Sequence, residues 1–230
     1  MAKAGRVLRV LAVDLTTIIP TLNAAATLGA TLRAVSGEII VVDGGSDDET
    51  VAIAAQYGAR VIRAARGRGR QLAAGAHAAR NAWLLFLHAD TVLDAGWQET
   101  VRDFIGNPAH ADHAAVFTFA LDDPSPAARR LERIVAWRTK RLALPYGDQG
   151  LVISRATYAA IGGYRDLPLM EDVDIVRRLG RARINTLPCR AVTSAARYRS
   201  GHLARSSRNL FCLGLYFIGF PPRLIAKLYG

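Results

Sequence analysis

Glu38-Ile-Ile-Val-Val-Asp43-Gly44-Gly45-Ser46-Asp47-Asp48-Glu49-Thr50 is the stretch that decides the fold. Its unbroken apolar run, Ile39 to Val42, predicts a strand buried on both faces, as in a parallel sheet. Gly44 and Gly45 let the backbone turn tightly, and Ser46 followed three residues later by Glu49 has the form of a capping box, predicting a helix over about 47–57. Strand, tight turn and helix in twenty residues make the first half of a crossover unit. Capping leaves Asp43 unexplained, because it is the last residue of a buried strand. A carboxylate there can accept hydrogen bonds from ribose hydroxyls or a base N–H, or stabilise the turn itself.

The same alternation extends in both directions. Strands are expected at Leu15–Ile19, Arg60–Arg63, Trp83–Leu87 and Ala114–Leu121, with helices over about 24–35, 69–81 and 95–105 between them, each with apolar residues at three- and four-residue spacing. This predicts an α/β fold with a mostly parallel sheet flanked by helices, whose ligands sit beyond the carboxyl ends of the strands. Asp122-Asp123-Pro124-Ser125-Pro126 is the best internal boundary. A basic helix over about 127–144, a strand Leu151–Ser154 and a helix starting near Glu171 follow it. The expected organisation is one domain over 1–190, with a donor half at about 15–121 and an acceptor half at about 126–190. A basic amphipathic helical extension covers 191–230.

Residues just after the strands are the candidate site. Pro20 cannot donate to a sheet and is expected to end the first strand, leaving Thr21 and Asn23 at the crevice. Arg66-Gly-Arg-Gly-Arg70 precedes an Ala-rich helix, where glycines and cations can cradle phosphate or simply form solvated surface. Trp83-Leu-Leu-Phe-Leu87 reads as a central strand running directly into His88-Ala89-Asp90. Asp90 is therefore placed mid-crevice, where a hard divalent cation bridging phosphates needs oxygen ligands. His88 is a second ligand or a donor to phosphate, and Asp94 is the better candidate to cap the following helix. Glu171-Asp172-Val-Asp174 holds three acids at a helix start; they favour the helix dipole, or one faces the crevice as a general base.

Charge sharpens the picture. The 230 residues carry 30 Lys plus Arg against 19 Asp plus Glu, a net charge of +11, yet from Ile175 onward there are 11 basic residues and no acid. All the excess lies in that last part, where phosphates, nucleic acid or an anionic membrane surface are natural partners. With 51% apolar residues the chain is neither disordered nor collagen-like. Cys189 and Cys212 make neither a disulfide framework nor a complete zinc site, and Arg9 and Asp14 interrupt any signal-like run, which together fit a reducing cytoplasm. The eleven apolar residues Leu210–Phe220 fall short of the ~20 needed to span a bilayer.

Taken in order, Ile-Ile-Pro20-Thr-Leu-Asn23, Val-Val-Asp43-Gly-Gly-Ser-Asp-Asp-Glu-Thr50, Leu-Phe-Leu-His-Ala-Asp90-Thr, Gly147-Asp-Gln-Gly150 and Met-Glu171-Asp172-Val-Asp174 resemble a family 2 glycosyltransferase with the GT-A, Rossmann-like nucleotide-sugar fold. The likeness spans about 15–190 and is strongest to short bacterial members with the His-Ala-Asp and Met-Glu-Asp-Val-Asp variants. It implies that Pro20, Thr21 and Asn23 border the nucleotide and that Asp43, with Gly44 beside it, holds the base. Arg70 would approach the phosphates. Asp90, with His88 and Ala89, matches the Asp-x-Asp motif and would bind ribose, diphosphate and a Mg or Mn ion, a cofactor put in question by His88 replacing the first acid. Gln149 and Glu171 would contact substrate, and Asp172 matches the family's catalytic base.

The resemblance further implies an inverting transfer from a nucleotide sugar, a UDP-sugar by preference, to a hydroxyl acceptor of unknown identity, lipid-linked acceptors included. The Gln-x-x-Arg-Trp motif of processive synthases is absent, with Ala196-Arg197-Tyr198-Arg199 standing roughly in its place, so single transfer is expected. The expected location is cytoplasmic, peripheral on the inner face of the membrane through the basic extension, with no nucleic acid partner. Two other readings compete: a sugar nucleotidyltransferase, which would release pyrophosphate, and a non-catalytic basic protein docking on membrane or nucleic acid.

Overall fold

The computed structural model describes residues 14–195, 212 and 214–229. One eight-stranded sheet runs β3-β2-β1-β4-β7-β6-β8-β5. Its first four strands, β1 (Leu15–Thr21), β2 (Glu38–Asp43), β3 (Arg60–Arg63) and β4 (Trp83–Phe86), are mutually parallel. Beyond β4 the sheet is mixed. β7 (Leu151–Ser154) pairs antiparallel with both β4 and β6 (Ala114–Leu121), β8 (Ile184–Thr193) runs parallel to β6, and β5 (Thr91–Leu93) closes the edge antiparallel to β8. The segments on either side of the 122–126 turn thus share one sheet, because β7 lies between β4 and β6.

Central β4 shows why a plain apolar run suffices. Leu84 and Phe86 join the cluster under one face, with Ile18, Ile40 and Val42, whereas Leu85 and Leu87 join Trp97, Val101 and Phe117 under the other. The helices covering the faces include α1 (Ala25–Ala34), α2 (Thr50–Gln56), α3 (Arg68–Ala78) and α4 (Trp97–Gly106). In the second half come α5 (Pro126–Leu142), α6 (Arg155–Ala160) and α7 (Glu171–Leu179), and α8 (Pro222–Tyr229) lies near the end of the chain. Small residues bring α3 close: a Cβ on Gly75 would collide with Ile18 and come within 3.0 Å of Val42, and one on Gly69 would collide with the Arg165 carbonyl. That close approach delivers Gln71 to the ends of β1 and β2 and Arg68 to Glu171 at the start of α7.

Several expectations are corrected. β1 continues through Pro20 to Thr21, because its neighbour β4 ends opposite Ile18 and Pro20 lies beyond that neighbour's last ladder partner. The Ser46–Glu49 capping box does not form; α2 starts at Thr50 because Ser46 is drawn to Asp43 and Asn23 instead, and Asp48 accepts from the Thr50 amide at 3.0 Å and from the Thr50 hydroxyl. Asp94 does not cap α4 with its side chain. It pairs with Arg190 at 2.8 Å, and Gly96 in the left-handed region, φ 85°, leads into the helix. β5, β8 and α6 add three elements that the sequence pattern does not reveal. Strand β8 also carries the sheet to Thr193, past the boundary drawn at residue 190. Ala196–Arg199 lie outside the described residues, as does His202, a lone histidine that the sequence leaves open as a metal ligand or a structural residue.

Candidate active site

At the carboxyl ends of β1 and β2 two loops are laced together. Asp43 is 2% exposed, and burial alone would raise its pKa. The Ser46 hydroxyl at 2.5 Å, the Ser46 and Gly45 amides at 3.0 Å and the Thr21 hydroxyl at 3.4 Å outweigh burial and hold it below the usual aspartate value. Asn23, at φ 51°, accepts from the Asp47 amide at 2.9 Å and donates its own amide to Ser46 Oγ at 2.9 Å. Both Asp43 oxygens are therefore engaged by the turn that Asp43 opens. Gln71, which the sequence reading missed, bridges the two strands by donating Nε2 to the carbonyls of Thr21 and Val42, each at 2.8 Å. Gly44 leaves room for it, since a Cβ there would stand 3.0 Å from that nitrogen.

Past β4 a second group assembles around a small cavity lined by Arg68, His88, Gly147, Glu171 and Asp172, with Tyr164 and Phe86 among its apolar walls. Asp90 is 6% exposed beside it, and its carbonyl accepts the Ser194 amide at 3.0 Å, tying the end of β8 to the motif. Glu171 is 3% exposed and bonds Arg68 at 3.1 Å. Burial and then the neighbouring Asp172 raise its pKa, while Arg68 pulls it down. Burial works against the charge of Arg68, but Glu171, Asp172 and Asp90 together hold its pKa above the ordinary arginine value. Arg68 is thus the cation among these acids.

Asp172 sits at the start of α7 just after Met170, whose φ of 66° turns the chain into the helix. Its Oδ2 accepts from the Gly147 amide at 3.0 Å and its Oδ1 from the Val173 amide at 2.8 Å. Asp174, one helix turn from Glu171, serves structure instead, pairing with Arg178 at 2.6 Å and Arg165 at 3.2 Å. Asp148, beside Gly147, faces the same acids. Burial first, then Asp172 and Asp90, push its pKa up to about 6, with Arg138 opposing.

The remaining expected residues separate. Arg70 projects to the surface and forms a two-pronged ion pair with Asp166 at 2.6 and 2.7 Å. Gln149 is buried, bracketed by the Thr139 hydroxyl at 2.9 Å and the Phe117 carbonyl at 3.0 Å, so it fastens α5 to β6. Ala89 packs with Ile19 and Leu28 in the core. Pro20 is partly buried beside Thr21. Among the described residues no three His, Cys, Asp or Glu side chains gather closely enough to hold a metal ion by themselves. No helix among them is long and apolar enough to cross a membrane.

Solved structures with this architecture include glycosyltransferases of the GT-A fold. Staphylococcus aureus TarS, solved in complex with UDP-GlcNAc, superposes with a TM-score of 0.63 at 16% identity, covering 78% of this chain and 58% of that one. Glucosyl-3-phosphoglycerate synthase from Mycobacterium tuberculosis, solved with Mn2+ and UDP-glucose, gives 0.60 at 20% identity, covering 90% and 79%. A PGL/p-HBAD biosynthesis glycosyltransferase of M. tuberculosis (strain ATCC 25177 / H37Ra) is 39% identical over an alignment of 115 positions that covers 41% of this chain and 43% of that protein. The chain thus spans less than half the length of that curated relative. The sequence model described as Glycosyl transferase family 2 matches residues 16–160, through β7 and into α6. With the sheet, the two laced loops and the cavity between His88 and Asp172 in place, the chain belongs to glycosyl transferase family 2.

Proposed function

We propose that the protein transfers a single sugar, with inversion, from a nucleoside-diphosphate sugar to an acceptor hydroxyl, and that Asp172 is the catalytic base. The observation carrying this reading is the Asp172 carboxylate, held by the Gly147 and Val173 amides on the wall of a cavity shared with Arg68, His88 and Glu171. The acceptor hydroxyl gives its proton to Asp172 as its oxygen attacks the anomeric carbon. The bond from that carbon to the diphosphate oxygen breaks on the opposite face, and the departing nucleoside diphosphate keeps the electron pair. Arg68 and His88 face the charge that develops there.

The nucleotide lies along Pro20–Asn23 and the Asp43–Ser46 turn in this reading. UDP-sugar is the proposed donor, supported by the UDP-sugars in the two structures above. A Mg or Mn ion would be held by Asp90, with Asp148 beside it. The fit is partial: Asp148 Oδ1 is buried without a hydrogen-bond partner and is a hard oxygen donor, but the described side chains supply too few ligands alone, so diphosphate oxygens would complete the shell. When bound, such an ion supplies charge stabilisation for the leaving diphosphate. The acceptor side falls in the second half and the basic extension, and a cytoplasmic, inner-face location with a lipid-linked acceptor matches that charge. Calorimetric titration of UDP-glucose and UDP-N-acetylglucosamine, with and without Mn2+, tests the donor class. Binding of at least one, weakened by Asp90→Ala, is expected; no binding to either in both conditions would contradict the donor assignment.

A further inference from the structure

We propose that α5 is a membrane-docking helix whose outer face seats on an anionic lipid surface, with Trp137 and Ile134 entering the headgroup boundary. The helix is amphipathic in an unusual sense. Its inner face is ordinary: Ala128, Val135 and Leu131 pack against Phe119 and Leu121 of β6, Ser125 caps the start, and Glu132 is turned inward to accept the Leu121 amide at 2.8 Å. Its outer face is not. Trp137 is 59% exposed and Ile134 61%, and around them on the same face stand Arg130, Arg133, Lys140 and Arg141, all exposed. Helical spacing puts 130, 134, 137 and 141 on one stripe with 133 and 140 flanking it. None of these four cations forms an ion pair with any described residue.

Charge selects the occupant. A second copy meeting this face through a twofold axis would set four cations against four cations. The chain's own segment 196–211 carries Arg197, Arg199, Arg205 and Arg208 with no acid, so it is repelled in the same way. The complement must be anionic and must also offer an apolar phase to a half-exposed indole and an isoleucine. A nucleic acid backbone offers only the first, whereas an anionic bilayer interface offers both. The placement has a consequence for the site. From the inner side of α5, Arg138 stacks 3.4 Å over the Tyr146 ring, and the next residue, Gly147, holds Asp172 at 3.0 Å. α5 is thus tied through Arg138 and Tyr146 to the loop that holds Asp172. The inference concerns docking alone and survives whether or not the proposed chemistry is right.

The test is flotation of the full chain with vesicles of phosphatidylcholine, alone or mixed with phosphatidylglycerol, across a salt series. Trp97 is buried and Trp83 partly buried, so the vesicle-dependent part of the emission reports Trp137. Co-flotation with the anionic vesicles only, lost as salt rises and accompanied by a blue shift, is expected. Trp137→Phe should abolish the shift, Trp137→Glu should weaken binding roughly tenfold, and Arg130→Glu with Arg133→Glu should weaken it at least as much. These substitutions are on the outer surface, so an unchanged Tm certifies folding. Failure to float, anionic binding untouched by the α5 variants, or a dimer in sedimentation that Trp137→Glu dissociates would overturn the proposal. The second of these would move docking to another segment, and the third would make the face an interface between copies.

Discussion

His88 and Gly147 face each other so closely that a Cβ on residue 147 would stand 2.6 Å from His88 Nε2. The motif after β4 and the loop before β7 are therefore fitted to one another, and the same Gly147 amide holds Asp172. Glycine is required here by space rather than by backbone conformation. Gly147→Ala is expected to lower kcat/KM by roughly tenfold or more by displacing either the imidazole or the loop. His88→Ala removes the obstacle, so adding Gly147→Ala to it should cost much less than in the wild type. A double-mutant cycle on kcat/KM reads this coupling directly; strictly additive losses would disprove the contact.

Arg68 and Arg70, two residues apart at the start of α3, have opposite fates. Arg68 compensates a buried Glu171, and Arg70 holds a solvent-exposed Asp166. Removing the first leaves a buried acid without its cation; because Arg68 is itself 45% exposed, solvent screening cuts the usual cost of breaking a buried pair to about 1–2 kcal/mol, whereas a pair exposed on both sides contributes about 0–1 kcal/mol. Denaturant unfolding should show Arg68→Ala markedly destabilised and Arg70→Ala nearly neutral. Arg68→Ala combined with Glu171→Gln should recover much of the loss.

Asp148 makes stability depend on pH in a predictable sense. Its pKa rises from 3.8 unfolded to about 6 folded. Between those values the folded protein holds a proton that the unfolded chain has lost, so this group's contribution is full below about pH 4 and is lost as pH rises through 6. The ceiling is about 3 kcal/mol, reduced by water reaching the half-buried side chain. Thermal unfolding followed from pH 4.5 to 8 should show a downward trend from this group that Asp148→Asn removes. Identical pH profiles for the two proteins would refute the burial argument.

Much of the architecture was legible because its signals are redundant. Trp83–Phe86 alternates its side chains into two separate clusters, so any apolar run of that length between turn residues had to be a central strand. β8 was not legible. Asn185, Thr186, Pro188 and Arg190 interrupt its apolar residues, and it is recognised only by its partners, β6 and β5. Local rules also lost to tertiary ones. Ser46 has the right spacing to cap a helix, but an aspartate at the end of β2 competes for its hydroxyl and wins. The order of motifs also singled out His88, Asp90, Glu171 and Asp172, which the structure brings into one neighbourhood. Which arginine joins them was hidden, because residues 68 and 70 point about 200° apart on a helix whose phase a Gly-Arg turn does not disclose. Gln71 carries no sequence signal at all, and only its two carbonyl contacts reveal its role.

The base assignment rests on Asp172 being needed for chemistry and not for holding the donor. Transfer assayed beside nucleotide-sugar binding in Asp172→Asn separates the two, since the amide keeps the shape of the side chain and removes its capacity as a base. The expected result is a loss of roughly a hundredfold to ten-thousandfold in kcat, with donor affinity retained. Transfer at the wild-type rate in that variant would contradict the account.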